Sequence, residues 1–146
     1  MLRNYFVTVS LSVCAMLLCN SCADATTIAE LRETVKPLRA GCARHVGGVE
    51  QSLLDGIEKG QFPPDHQLQC YFRCVMIYLR TWKDGKPVPS VFVAQVKNMP
   101  KGMQDRILKA SKVCYDKMVY DADECVTVWN QVKCNYEQDP DVFFFP

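Results

Sequence analysis

Six cysteines constrain the fold of this chain more than any other feature of its sequence. They are separated by 27, 3, 39, 10 and 8 residues, and they are Cys42, Cys70, Cys74, Cys114, Cys125 and Cys134. An even number of cysteines in a short chain that enters an oxidising compartment indicates a disulfide framework rather than a metal site. Six cysteines allow fifteen pairings, and sequence alone does not select one of them.

The N-terminal residues predict that the chain enters such a compartment. Arg3 precedes an uncharged apolar run over residues 5–19, and small residues follow. A positive start, a short apolar middle and an Ala-x-Ala finish are typical of a secretory signal peptide. We therefore predict a signal peptide over residues 1–23, with cleavage near Ala23 or Ala25, and a secreted, extracellular protein. The alternative is an uncleaved anchor or a lipid-modified cysteine near the end of the run.

Cleavage at that point changes the cysteine count from odd to even. The chain has nine cysteines, and three of them precede the cleavage position: Cys14, Cys19 and Cys22. Residues 24–146 then form one domain of ordinary size, which is long enough to build a core of its own. Lysine and arginine number 17 against 16 acidic residues, without a basic run. We therefore do not expect nucleic acid as a partner.

Apolar residues after the leader recur mainly at steps of three and four, which is the spacing of one helix face. The predicted helices cover about residues 28–46, 49–57, 68–82, 91–99, 103–114 and 121–132. Pro37 predicts a kink or a break in the first helix, because proline lacks an amide hydrogen. The run Val91-Phe92-Val93 also fits a strand. The sequence thus predicts an all-α fold, a compact bundle of about six short helices.

Polar side chains mark where several of these helices begin. Thr27 and Glu30 form a capping box ahead of the first helix. Asp65 offers a carboxylate to the free amides of the third helix. Asp121 and Glu124 have the spacing of a second capping box, which predicts the start of the last helix.

The positions of the cysteines on these helices restrict their pairing. Cys70 and Cys74 lie one turn apart on the third helix, where the backbone holds their sulfurs in a poor arrangement for bonding each other. Cys125 and Cys134 lie on opposite sides of the sixth helix, since each residue turns the helix by about 100°. The third helix is therefore tied to two distant segments, and the sixth lies between two others. Such cross-links permit a hollow helical domain without requiring one.

The leader followed by these cysteine gaps in a short helical chain resembles the insect odorant-binding proteins of the pheromone-binding and general odorant-binding family. The gaps of 3 and 8 residues are the specific part of the match. The resemblance implies three disulfides around an apolar pocket: Cys42 to Cys74, Cys70 to Cys125, and Cys114 to Cys134. It also implies a carrier that takes a small hydrophobic ligand, an odorant or pheromone, through aqueous fluid to a membrane odorant receptor.

Flexible methionines and large aromatic residues on the helix faces are the candidates for the pocket wall. The C-terminal tail, residues 139–146, contains three of the seven phenylalanines, and such an apolar segment has to dock on a surface. The predicted pocket residues are Phe72, Met76, Leu79, Phe92, Val96, Met99, Ile107, Met118, Trp129, Phe143, Phe144 and Phe145. The alternatives are that these side chains form a solid core, and that the tail packs on its own core or forms a homodimer seam.

A few polar residues are candidates for a role in binding or release. His45 and His66 lie near predicted helix ends, so each is either a pH sensor or an ordinary solvated or capping group. Asp139 and Asp141 adjoin the apolar tail, and we hypothesise that they fix its position and release it in mild acid. A tyrosine hydroxyl could orient an oxygenated ligand. The candidate tyrosines are Tyr78, Tyr115, Tyr120 and Tyr136.

Sequence signatures of catalysis are absent. The chain has no Gly-x-Ser-x-Gly elbow, no His-Glu-x-x-His zinc helix and no phosphate-binding glycine loop. We therefore predict a non-enzymatic carrier without a metal or cofactor. The rival functions are a non-olfactory carrier or scavenger with the same fold, and a helical inhibitor or defence protein acting through a loop such as Phe62-Pro63-Pro64. A small hydrolase is the last alternative.

Overall fold

Residues 27–146 are described by a computed structural model. The predicted signal peptide and its three cysteines lie outside the described residues. The elements, in chain order, are α1 (Ile28–His45), α2 (Gln51–Gly56) with a 3-10 turn (Ile57–Lys59), α3 (His66–Tyr78), β1 (Trp82–Lys83), β2 (Lys86–Pro87), α4 (Pro89–Val96), α5 (Lys101–Asp116), α6 (Glu124–Gln138) and a second 3-10 turn (Pro140–Val142). The described part of the chain is therefore all-α, as predicted, with one small hairpin. None of its helices is both long and apolar enough to cross a membrane.

Two of the predicted helix starts are confirmed. The Glu30 amide donates to Thr27 Oγ1 at 3.2 Å, and the Thr27 amide donates to Glu30 Oε2 at 2.7 Å, which completes the capping box of α1. The Leu68 amide donates to Asp65 Oδ1 at 2.8 Å. Each side-chain acceptor satisfies an amide that the helix itself leaves without a partner.

Three predictions about boundaries are corrected. Asp123, rather than Asp121, caps α6, because the Asp123 carboxylate accepts from the Cys125 amide at 2.8 Å. Residues 91–93 lie within α4, so the strand alternative is wrong. α1 continues through Pro37, so of the predicted kink or break the break is wrong. A proline removes one amide donor, and the remaining hydrogen bonds together with tertiary packing keep the helix continuous.

The third helix is shorter than predicted, because it ends at Tyr78 and the chain then turns into the hairpin. Arg80 has a positive φ of 59°, which a helix interior does not allow. Asp84 and Gly85 have φ values of 51° and 72°, the left-handed conformations of a tight two-residue hairpin turn. Trp82, predicted to lie on the helix face, is instead a buried residue of β1.

α3 is the centre of the core. Leu68, Tyr71, Phe72 and Val75 on this helix are 0% exposed, and they pack against a core that includes Val128 of α6. The apolar face of α3 is wide because neighbouring helices cover it on more than one side. Burial of such side chains stabilises the fold by roughly 1.5–3 kcal/mol each.

Three disulfides connect the helices in the pairing that the resemblance implies. Cys42–Cys74 joins α1 to α3, Cys70–Cys125 joins α3 to α6, and Cys114–Cys134 joins α5 to α6. The two cysteines of α3 thus reach different partners, as helix geometry predicts. α6 is held between α3 and α5.

Candidate functional site

A cavity of about 410 Å³ lies between the helix bundle and the C-terminal tail. Residues of α1, α3, α4, α5 and α6 contribute to its wall, and residues 142–146 close one side of it. Its lining is mainly apolar. Pockets for small molecules are concave, mostly apolar, and enclose about 300–1,000 Å³. The cavity therefore has the size and chemistry of a site for a small hydrophobic molecule.

Nine of the twelve predicted pocket residues line this cavity. They are Met76, Leu79, Phe92, Val96, Met99, Ile107, Phe143, Phe144 and Phe145. The prediction missed Leu31 and Val35 of α1 and Val132 of α6, which also line it. These three lie on apolar helix faces that the sequence showed, but helical spacing does not distinguish the part of a face that borders a cavity from the part that packs.

The other three predicted pocket residues do not line the cavity. Phe72 is completely buried, and its ring packs edge-on against Phe145 with the centroids 5.0 Å apart. Trp129 packs against the core, with Lys133 Nζ 5.3 Å from its ring centroid. Met118 also packs against the core. These side chains support the fold behind the cavity because close packing fills the space around them.

The C-terminal tail is docked on the core of its own chain and also lines the cavity. The Tyr71 hydroxyl donates to the backbone oxygen of Pro146 at 2.5 Å. Burial raises the pKa of Tyr71 to about 12, so this phenol keeps its proton at physiological pH. Phe143 packs edge-on against Tyr136 with the ring centroids 5.2 Å apart. The end of the tail is thus held by the hydrogen bond from Tyr71 and by aromatic contacts.

An ion pair holds the beginning of the tail to α5. Arg106 Nε donates to Asp139 Oδ2 at 2.7 Å, and Arg106 Nη2 donates to Asp139 Oδ1 at 2.5 Å. Asp141 Oδ2 lies 3.4 Å from the same Nη2. The hydrogen bonds from Arg106 hold the pKa of Asp139 below its usual range. The first half of our hypothesis, that these carboxylates fix the tail, agrees with this geometry.

We predict that mild acid does not release the tail through Asp139. A carboxyl group whose pKa is lowered in the folded state stabilises that state above its ordinary pKa of about 3.9, and the contribution is lost only as pH falls through the lower, folded value. Between pH 8 and 5 Asp139 remains ionised in both states. The affinity of an apolar probe should therefore stay flat over this range and fall only below about pH 4.

A titration of probe affinity from pH 8 to 3.5 tests this prediction. The first variant is Arg106→Met, which removes the ion pair with Asp139. The matched control is Lys112→Met, which removes an exposed partner of Asp116 on the same helix. The first should weaken binding at neutral pH and the second should not. A loss of affinity between pH 7 and 5.5 in the native protein would contradict this prediction. It would support the hypothesis that mild acid releases the tail.

Neither histidine lines the cavity. His66 Nε2 lies 2.9 Å from Asp123 Oδ2, at the adjoining starts of α3 and α6. His66 also forms, with Cys70 and Cys125, a group of three potential metal ligands in the described part of the chain. The two sulfurs of this group are bonded to each other, so it is not a metal site.

The four candidate tyrosines lie in different surroundings. Tyr78 and Tyr120 are 74% and 57% exposed, and Tyr136 packs against Phe62 and the tail. Tyr115 lines the cavity, where its ring meets Phe92 edge-on with the centroids 6.2 Å apart. Burial raises the pKa of Tyr115 to about 12. Of the four, Tyr115 is the one placed to meet a molecule in the cavity.

Known proteins share this sequence pattern and this fold. The model of the PBP/GOBP family matches residues 24–138. The solved structure of Apis mellifera odorant binding protein 5 is 33% identical, with a TM-score of 0.72 over 83% of this chain and 98% of that chain. Odorant Binding Protein 4 of the predator Chrysopa pallens is 27% identical, with a TM-score of 0.73 over 83% of this chain and 99% of that chain. The similarity therefore extends over nearly the whole of both relatives.

Proposed function

The chain belongs to the PBP/GOBP family, and on this premise we propose that it is a secreted carrier of small hydrophobic ligands. It would enclose an odorant or pheromone, carry it through aqueous fluid and release it at a membrane odorant receptor. Both related structures are odorant-binding proteins, which supports this class of ligand. No step of this function requires catalysis, a metal or a cofactor.

The observation that carries the proposal is the apolar cavity that the helices and the C-terminal tail line together. A ligand in the cavity would exchange water for hydrocarbon neighbours, at about 25 cal/mol per Å² of buried apolar surface. Affinity would be limited by the loss of ligand freedom and by the modest selectivity of apolar contacts. We therefore expect micromolar binding of several related ligands.

Filling the cavity should abolish this binding. Ala110 is a buried lining residue of α5, and Ala110→Phe would place a ring in the space of the ligand. We expect affinity for a fluorescent apolar probe to fall at least tenfold, because the ligand would have to displace a packed side chain. Titration of refolded, oxidised protein with the probe measures this change.

The matched control is Ala94→Phe, which makes the same change at an exposed position of α4. It should leave probe affinity unchanged. Equal affinity of native protein and Ala110→Phe would show that the probe binds elsewhere. The absence of saturable binding to the native protein would contradict the carrier function itself.

The rival functions have less support from the geometry. The Phe62-Pro63-Pro64 segment was the candidate inhibitory loop, but Phe62 packs against Phe72 and Tyr136, with ring centroids 5.9 and 5.5 Å away. The small-hydrolase alternative has no serine–histidine pair at the cavity, because neither histidine lines it. A non-olfactory carrier would use the same cavity, so the tissue of expression distinguishes it from an olfactory one. The homodimer stays a prediction that sedimentation at several concentrations can test.

A further inference from the structure

The two halves of α1 are held to the rest of the protein very differently. In the second half, Cys42 is 2% exposed and is bonded to Cys74 of α3, and Leu38 packs against the core. In the first half, residues 28–36, no residue is buried. We call this first half the flap. The disulfide therefore anchors one end of α1 and leaves the flap to weaker contacts.

The flap is part of the cavity wall. Leu31 and Val35 are half-buried, and they face the cavity rather than the packed core. Within the described residues, one side-chain bond joins the flap to another element, from Arg32 Nε to Glu58 Oε1 at 2.9 Å. The two side chains are 50% and 40% exposed. Exposed ion pairs of this kind stabilise a structure little, because water competes for both charges.

Pro37 lies at the boundary between the flap and the anchored half. A proline has no amide hydrogen, so the Glu33 carbonyl oxygen lacks its usual helix donor, and the proline ring crowds the same carbonyl. Within the same turn the Thr34 hydroxyl donates to the Glu30 carbonyl oxygen at 2.9 Å, a bond that weakens and bends helices. The backbone of α1 is therefore weakly bonded at the point where the flap begins.

The other parts of the cavity wall are held more firmly. Two disulfides link α3, α5 and α6 to one another. α4 contributes the buried Val96, and its Gln95 Nε2 donates to the Leu79 carbonyl oxygen at 2.6 Å. The tail is fixed by the ion pair with Arg106 and by the hydrogen bond from Tyr71. Of the elements that line the cavity, the flap thus has the least to lose when it moves.

We propose that the flap moves about Pro37 as a hinge, and that a ligand enters and leaves the cavity beneath it. The inference rests on the proposed carrier function and adds an entry route to it. Outward movement would break the Arg32–Glu58 pair and leave the anchored half in place. Because the flap opens and closes again in both the free and the loaded protein, the hinge sets the rates of ligand exchange rather than the affinity.

Replacement of the hinge proline should slow ligand exchange without changing affinity. Pro37→Ala supplies an amide that can bond to the Glu33 carbonyl oxygen, so opening costs more in the free and in the loaded protein. We expect the association and dissociation rate constants of N-phenylnaphthylamine, a fluorescent apolar probe, to fall together by about fivefold. Their ratio, the dissociation constant, should stay unchanged. Stopped-flow fluorescence of refolded, oxidised protein measures both rates.

The matched control is Gly41→Ala, which also favours the helix but lies in the anchored half of α1. A Cβ atom at Gly41 would have open space around it, so the variant should fold normally and change neither rate. Equal slowing in Gly41→Ala and Pro37→Ala would overturn the inference, because general stiffening of the helix would then explain both. A change of affinity in Pro37→Ala with unchanged rates of association would show a purely structural role and would also overturn it.

Removal of the ion pair should have the opposite effect on the rates. Arg32→Met deletes the bond from the flap to Glu58, and we expect both rate constants to rise about twofold. The matched control is Lys36→Met, which removes an ion pair with Glu33 that lies entirely within the flap. It should change neither rate.

Hydrogen exchange detects the same motion without a ligand. The amides of residues 32–36 are bonded within the flap, and those of residues 42–45 lie in the anchored half. The flap amides should exchange faster than the anchored ones in the native protein, and more slowly in Pro37→Ala than in the native protein. Equal protection of the two halves would overturn the hinge.

Two outcomes separate this inference from the carrier function. If the native protein binds the probe but Pro37→Ala leaves both rates unchanged, the entry route is wrong while the carrier function stands. If the native protein binds no apolar probe, both proposals fail. Slower exchange of the probe in Pro37→Ala at unchanged affinity supports both.

Discussion

Deletion of residues 143–146 is expected to lower ligand affinity about thirtyfold. These residues line one side of the cavity, so their removal opens it to water. Re-exposing roughly 80 Å² of ligand hydrocarbon costs about 2 kcal/mol, which corresponds to about thirtyfold in the dissociation constant. Most of the change should appear as faster dissociation, because opening the wall removes contacts in the bound state.

The deletion also removes contacts that stabilise the fold, and the experiment has to separate the two effects. Phe145 packs against Phe72, and Pro146 accepts the hydrogen bond from Tyr71. Probe titration should therefore be done where chemical denaturation shows that the shortened protein is folded. Phe145→Ala is an intermediate variant, and Val119→Ala is a control at a position that is 78% exposed.

Unchanged affinity of the folded, shortened protein would contradict the view that the tail is a wall of the site. The tail would then be a packing element of the core alone. An affinity loss in Phe145→Ala that lies between the native and shortened proteins would support the wall, since each removed ring exposes part of the ligand.

The second large effect is expected from removal of the disulfides. The variant that loses the most stability should not be the one that loses the most ligand affinity. In the loop-closure model the loss of stability grows with the separation of the bonded cysteines, which is 55, 32 and 20 residues. The corresponding free energies of unfolding are lower by about 4.2, 3.7 and 3.3 kcal/mol. The double alanine variant of Cys70–Cys125 should therefore be the least stable, and that of Cys114–Cys134 the most stable of the three.

The order for ligand affinity should be different. Cys114–Cys134 joins α5 to α6 beside Ser111, Tyr115 and Asn135, whereas Cys70–Cys125 lies outside the cavity lining. Loss of the former should loosen two walls of the site, with an affinity loss of at least severalfold in protein that is still folded. Urea unfolding and probe titration of the three double variants measure both orders. If affinity simply followed stability, the disulfides would have no separate effect on the site.

Much of the fold was predictable from the sequence because its signals are local. The capping box at Thr27 and the cap at Asp65 were correct, since each depends on a side chain and an amide three residues apart. The end of α3 was not, because Leu79 and Trp82 continue the apolar spacing of the helix. The residues at positive φ and the burial of Trp82 in the hairpin, with Nε1 donating to Glu124 Oε2 at 3.2 Å, decide that boundary.

The candidate site was predictable as a set of apolar residues but not as a shape. The sequence predicts both Phe72 and Phe145 as pocket residues. Phe72 is packed within the core, whereas Phe145 contacts the core and also lines the cavity. Sequence spacing gives the face of a helix, and only the arrangement of neighbouring helices decides where that face meets a space. The same reason explains why Leu31 and Val35 were missed.

The sequence by itself determined the helical class, the cysteine framework and, through its resemblance, the family, because helical period, capping and cysteine gaps are properties of positions along one chain. The tertiary structure alone decided the ion pair between Arg106 and Asp139, which are 33 residues apart. It also decided which of the four candidate tyrosines, Tyr115, lines the cavity. Among the alternatives that the sequence left open, it also decided that the tail lines a cavity of its own chain. These features depend on distances between segments that are remote in the chain, and no local pattern encodes such distances.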